Sequence, residues 1–135
     1  MTNPVSPPTP YLPVSWGEVI DKITILEIKN TKLSGADALA NVRKELSLLS
    51  SAADVYLANN ARLSDLKHRL RVVNDALWAI EDDIREKEAK QEFDNQFIAL
   101  ARSVYTRNDE RAAIKREIND LLRSDIVEEK SYTKY

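Results

Sequence analysis

At 135 residues the chain is the size of one domain, and with no cysteine it has no disulfides, thiolate catalysis or cysteine-based zinc sites. Its net charge of −2, with no basic block, excludes the clustered positive field that nucleic acid or an anionic membrane requires. A lone histidine, His68, excludes a paired-histidine metal motif, and no apolar run approaches the roughly 20 residues of a membrane span.

All five prolines lie between Pro4 and Pro13. Proline removes an amide donor and clashes with the preceding turn, so residues 1–13 read as an extended, disordered leader. The leader lacks the basic region and apolar block of a signal peptide, and a cytoplasmic location is the expectation. Beyond it the only glycines are Gly17 and Gly35, and the chain is rich in Leu, Ala, Glu, Lys and Arg. Such a stretch predicts helix almost end to end.

The first helix opens at Ser15 and Glu18, spaced as a capping box, with Val14 and Val19 as its hydrophobic staple. It is expected from Trp16 to Leu33, stopping near Ser34-Gly35 where glycine would take the left-handed conformation. A second helix follows Asp37, carried by Leu39, Val42, Leu46, Leu49, Ala53 and Tyr56. The third stripe is Leu63, Leu66, Leu70, Val73, Leu77, Ile80 and Ile84, fading near Gln91. These two stripes are out of phase across Asn59-Asn60, which predicts a turn there; the rival is one long helix with a coiled-coil stutter.

Asp94 caps a fourth helix running to about Arg123, with Phe97, Leu100, Val104, Ile114, Ile118, Leu121 and Leu122 on its apolar side. The expected fold is all-α, an antiparallel bundle of about four unequal helices over residues 14–127, followed by a tail at 128–135. The first helix is visibly shorter than the last two, which leaves surface for a partner subunit to cover.

At about 100° per residue, Arg107, Asn108, Arg111 and Lys115 fall among the apolar positions of the fourth helix. Charges there are costly unless paired or bound. Candidate neighbours are Glu27, between Ile20 and Ile23 on the first helix, and the line Asn74, Trp78, Glu81 and Arg85 on the third. Asp82 and Asp83 point to solvent. Three readings fit the stripe: ion pairs that fix register, a helix end protruding past its neighbours, or a pocket for an anionic ligand. Glu18 and Asp21 read as structural, Glu18 already serving the cap. The serines at 47, 50 and 51 have no accompanying base, and no phosphate-cradling glycine loop, nucleophile elbow or dinucleotide fingerprint is present.

The run from Gly17 to Lys29 (GEVIDKITILEIK) resembles the opening motif of DUF6165, a family of small bacterial proteins of undefined function. Further matches are Asn41-Val42, Asn74 with Leu77-Trp78, Ile80-Glu81-Asp82 and Arg102-Ser103-Val104-Tyr105. The closing signature is Asn108-Asp109, Arg111-Ala112-Ala113, the Lys115–Asn119 run KREIN and the Glu128–Tyr132 run EEKSY. The resemblance covers Val14 to Tyr132 and implies stand-alone helical proteins, some associated with cell-surface polysaccharide genes. It carries no catalytic residues over.

Two functions follow as expectations. One is a helical accessory protein, more a binder than an enzyme, that forms a homo-oligomer or holds a protein partner without metal or cofactor. The other is a site for an anionic metabolite, a nucleotide or sugar phosphate, formed by Arg85, Arg107, Arg111 and Lys115, with Asn74, Asn108 and Asn119 orienting hydroxyls and Glu27 or Glu81 as acid or base. A magnesium site on Glu18, Asp21, Glu27 and Glu81 is a weaker third.

Overall fold

The computed structural model describes residues 5–135, so the first four residues of the proposed leader lie outside it. Residues 5–15 carry no helix or strand, and all but Ser15 are exposed. Four helices follow: α1 (Trp16–Lys32), α2 (Ala36–Ala58), α3 (Ala61–Ala89) and α4 (Asn95–Leu121). Among the described residues no helix is long and apolar enough to cross a membrane.

Three of the four helix starts have a side-chain cap, whereas α2, expected after Asp37, starts at Ala36 behind Gly35 with none. The Ser15 hydroxyl accepts from the Glu18 amide, Asn60 Oδ1 accepts from the Leu63 amide and Asp94 Oδ1 from the Phe97 amide. Each cap satisfies an amide that the first turn leaves without an intrahelical partner. The turn at Asn59-Asn60 separates α2 from α3. One stop differs from expectation. Gly35 has φ −74°, not a left-handed value, and it is the residue preceding α2 rather than the stop of α1. The chain leaves α1 through an extended Leu33 (φ −79°, ψ 148°), a conformation open to any residue. Left-handed residues occur instead after α3, at Gln91 with φ 56°, and after α4, at Arg123 with φ 49°.

The helices run up, down, up and down. Lys22 meets Glu45 and Trp16 meets Tyr56 across α1 and α2; Arg69 meets Glu117 and Lys87 meets Asp94 across α3 and α4. The short α1 and the long α3 form the central pair: each packs against all three other helices, whereas α2 and α4 do not touch. The core unites Ile20 and Ile23 of α1, Ala53 of α2, Leu63, Leu66, Leu70 and Val73 of α3, and Ile114 and Ile118 of α4.

Burial is uneven along the longest helices. The last buried residue of α3 is Asn74, and the first buried residue of α4 is Ile114. α1 has 17 residues against 27 in α4, a difference of about 15 Å at 1.5 Å per residue. The α3–α4 hairpin therefore continues past the end of α1 as an overhang, with Leu77, Ile80, Ile84, Phe97, Leu100 and Val104 only half-buried.

Candidate functional site

The junction of α1 with α4 begins at the helix start. Ser124 Oγ accepts from the Trp16 amide at 3.1 Å, and Asn119 Oδ1 accepts from the Gly17 amide at 2.6 Å. Together with Ser15 these oxygens serve three of the amides exposed at the N-terminus of α1. Asn119 is thus a cap supplied by another helix, and with Lys115, Glu128 and Lys130 it lines a small cavity of 220 Å³. Gly17 lacks a side chain because the backbone of α4 passes directly against it.

One turn along, Asp21 is 1% exposed and receives Arg111 in a two-pronged pair, Nε to Oδ1 at 2.9 Å and Nη2 to Oδ2 at 2.5 Å. Asn74 Nδ2 donates both to Asp21 Oδ1 and to Thr24 Oγ1, each at 2.9 Å, and Thr24 Oγ1 donates to the Asp21 carbonyl at 2.7 Å. One buried carboxylate therefore ties α1 to α3 and α4 at once. Hydrogen bonding to Asp21 raises the Arg111 guanidinium further above its ordinary value, against the opposing effect of burial. Fork geometry of this kind is what arginine, and not lysine, provides.

Lys115 lies almost wholly inside, with Glu18 Oε2 and Glu128 Oε2 each 2.8 Å from its ammonium. Burial alone pulls its pKa down, but the hydrogen bonds it donates to Glu128 and Glu18 outweigh that and leave it raised. The hydrogen bond from Lys115 is the main cause holding the Glu128 carboxyl below its ordinary value. Glu18 accordingly reaches across to α4 with its side chain. The capping box contributes the serine half to the cap.

Glu27 also turns outward from the stripe, to Lys67 at 3.2 Å and Arg71 at 3.5 Å on α3. Arg107 pairs with its own helix neighbour Glu110 at 3.2 Å and lines a separate surface cavity with Arg102 and Tyr135. The remaining six predicted residues do converge. Asn74, Trp78, Glu81, Arg85, Asn108 and Arg111 line one groove of 490 Å³, with Ile25, Ile28, Leu77 and Asp82 completing its walls. It lies where α1 gives out and the overhang begins. Arg85 is its freest cation, with 79% of its side chain exposed and only a 3.5 Å contact to Glu81.

Residues 11–135 match DUF6165, described as a family of unknown function. The chain belongs to that family. No curated protein and no solved structure matches it. On this DUF6165 fold, Asp21 and Asn74 form the buried junction, Trp78, Glu81 and Asn108 the groove, and Lys115 and Asn119 the seam between α1 and α4.

The sequence reading took Asp21 as structural without placing it at this junction, and gave Glu128 no role. Asp21 stands seven residues before the buried Ile28, on the same side of α1, so helical phase could have marked it as inward. Glu128 follows the last helix, where periodicity carries no signal, and only the folded-back tail brings it to Lys115. The four acids considered for magnesium are each engaged by a different cation: Glu18 by Lys115, Asp21 by Arg111, Glu27 by Lys67 and Arg71, and Glu81 by Arg85. Among the described residues no group of three or more such side chains is arranged to hold a metal ion.

Proposed function

We propose that this DUF6165 protein is a cytoplasmic helical accessory protein that self-associates through the overhang of α3 and α4. One observation carries the reading: the half-buried apolar stripe of the overhang has no third helix against it, whereas the same stripe nearer the core is covered by α1. A second copy is the occupant that suits it. The overhang carries acids on α3, Glu81, Asp82 and Asp83, and bases on α4, Arg102 and Arg107. A two-fold axis between antiparallel hairpins brings the acids of each copy against the bases of the other, a self-complementary arrangement. The paired condition of Arg111 and Lys115 supports the same reading, because their charge is already matched within the chain. The family resemblance adds cell-surface polysaccharide metabolism as the process such a protein would serve.

The test is the mass in solution. Sedimentation equilibrium is expected to return twice 15.4 kDa, and both Val104→Asp and Arg102→Glu are expected to return the single mass with helical circular dichroism retained. Arg102 is exposed, so its reversal leaves the monomer fold intact. A wild-type protein that sediments as a monomer throughout the micromolar range overturns the proposal.

A second reading rests on Trp78 and Arg85 sharing the groove. An aromatic face beside a largely free guanidinium suits a nucleotide or sugar phosphate. Thermal unfolding against a panel of these, with and without magnesium, is expected to show a selective upward shift that Arg85→Met removes. At 100-fold above the dissociation constant the stabilisation is about 2.7 kcal/mol. A flat panel dismisses this reading.

A further inference from the structure

The C-terminal tail does not trail away from the bundle. It turns back along α4 and is held at both ends. At its start Glu128 meets Lys115 at 2.8 Å, and Glu129 takes both prongs of Arg116 at 3.1 and 3.3 Å. At its finish the Tyr135 hydroxyl donates to Asp109 Oδ2 at 2.5 Å, and its ring meets Tyr105 edge-on with centroids 5.0 Å apart. Between these anchors lies a cavity of 790 Å³. Val104, Asn108 and Ala112 contribute its α4 side, Tyr105 and Tyr135 close one end, and Lys130 and Tyr132 belong to the tail side.

Its volume falls in the range of small-molecule sites, and its surface is mainly apolar and aromatic with a few polar groups, which is the usual chemistry of such sites. Ala112 leaves open space that a longer side chain would fill. The polar groups have definite states. Asp109 is taken up by the Tyr135 hydroxyl. Glu128 is engaged by Lys115 at 2.8 Å and forms a longer ion pair with Lys130 at 3.7 Å. The Lys130 ammonium, the Asn108 amide and the Thr133 hydroxyl are therefore the polar groups lining the cavity for a guest, beside three tyrosine rings.

We propose that the cleft between the tail and α4 binds a small aromatic anion: a planar ring against the tyrosines, with its carboxylate or sulfonate directed to Lys130. Ring edges and faces of tyrosine favour a second aromatic ring, and the ammonium selects the charge. The site touches the overhang at Val104, but its remaining lining lies on the tail and further along α4, and it does not depend on self-association.

Anilinonaphthalene sulfonate is the probe, since it combines a fused ring with one anionic group and reports binding by fluorescence. Saturable binding at one site per chain is expected, with the unfolding temperature raised. Tyr132→Ala and Lys130→Met are each expected to weaken it by about tenfold. Inorganic phosphate, an anion without a ring, is expected not to compete. Tyr132 is 76% exposed, so its removal leaves the bundle folded, which circular dichroism checks. Trp78→Ala, in the other groove, is expected to leave affinity unchanged. Absence of saturable binding, indifference to both tail variants, loss of binding in Trp78→Ala, or displacement by phosphate would each overturn the assignment.

Discussion

A methyl group on Gly17 would stand 2.6 Å from the Lys115 carbonyl oxygen and 2.9 Å from Asn119 Oδ1. The first of these is backbone, so α1 itself must retreat. In an ordinary helix glycine to alanine is favourable by up to about 1 kcal/mol. Here the clash reverses the sign: Gly17→Ala is expected to destabilise by roughly 1–3 kcal/mol in urea unfolding, as overpacking does. Asp21 is the other position of consequence. Asp21→Asn leaves the Arg111 charge without its counterion, and a loss of about 3 kcal/mol is expected. The double variant Asp21→Asn with Arg111→Met should recover part of that loss, because the unpaired charge is gone. A double variant no more stable than the single one contradicts the ion-pair account. At this scale the polar stripe on α4 was legible from helical phase alone, whereas the role of each member was not. Arg111 and Lys115 found acids on α1 and in the tail, and Arg107 found one on its own helix.

Among the elements, the tail is the one whose attachment depends on pH. Glu128 has a depressed folded pKa, so its contribution is present above its unfolded value of about 4.3 and lost as pH falls through the lower folded value. Lys115 has a raised pKa, so its contribution is present below the unfolded value of about 10.4 and lost as pH rises through the higher folded one. Tail docking is expected to hold across neutral pH and to release below about pH 4. Nuclear magnetic resonance shifts of Tyr135 report the release, and Glu128→Gln should remove the acid transition while leaving other shifts in place. An unchanged titration in that variant assigns the transition elsewhere. The starts of α1 and α4 were readable because Ser15 and Asp94 are chemically suited to accept from a free amide, and the start of α3 only as a turn at Asn59-Asn60, where Asn60 proves to be the cap. The end of α1 was not, since an extended Leu33 needs no special residue and glycine there merely precedes the next helix.

For the whole molecule, the consequence of a short central helix is a gradient of order. Packing is dense around Ile20, Leu66 and Ile118 and thins towards the loop at Glu92-Phe93. Hydrogen exchange is expected to be slowest in the amides around Leu66–Val73 and Ile114–Ile118, and faster in the overhang at Ile80–Ile84 and Phe97–Val104. Dilution below the self-association constant should speed exchange in the overhang alone. Equal protection along the whole of α3 and α4 at every concentration counts against a partly uncovered hairpin.

The amino-acid sequence by itself determined the class of fold, the four helices, their capping residues and the apolar stripes. These are properties of nearest neighbours and of a period of 3.6 residues, and both are written locally along the chain. It also marked charged positions on an apolar face. Tertiary structure alone decided which acid each of those charges meets, that α1 and α3 are the central pair of the bundle, and that the tail folds back to complete the surroundings of Lys115. The reason is distance along the chain. Asp21 and Arg111 are 90 residues apart, and Glu18 and Lys115 are 97 apart, so no local pattern relates them until α1 packs against α4.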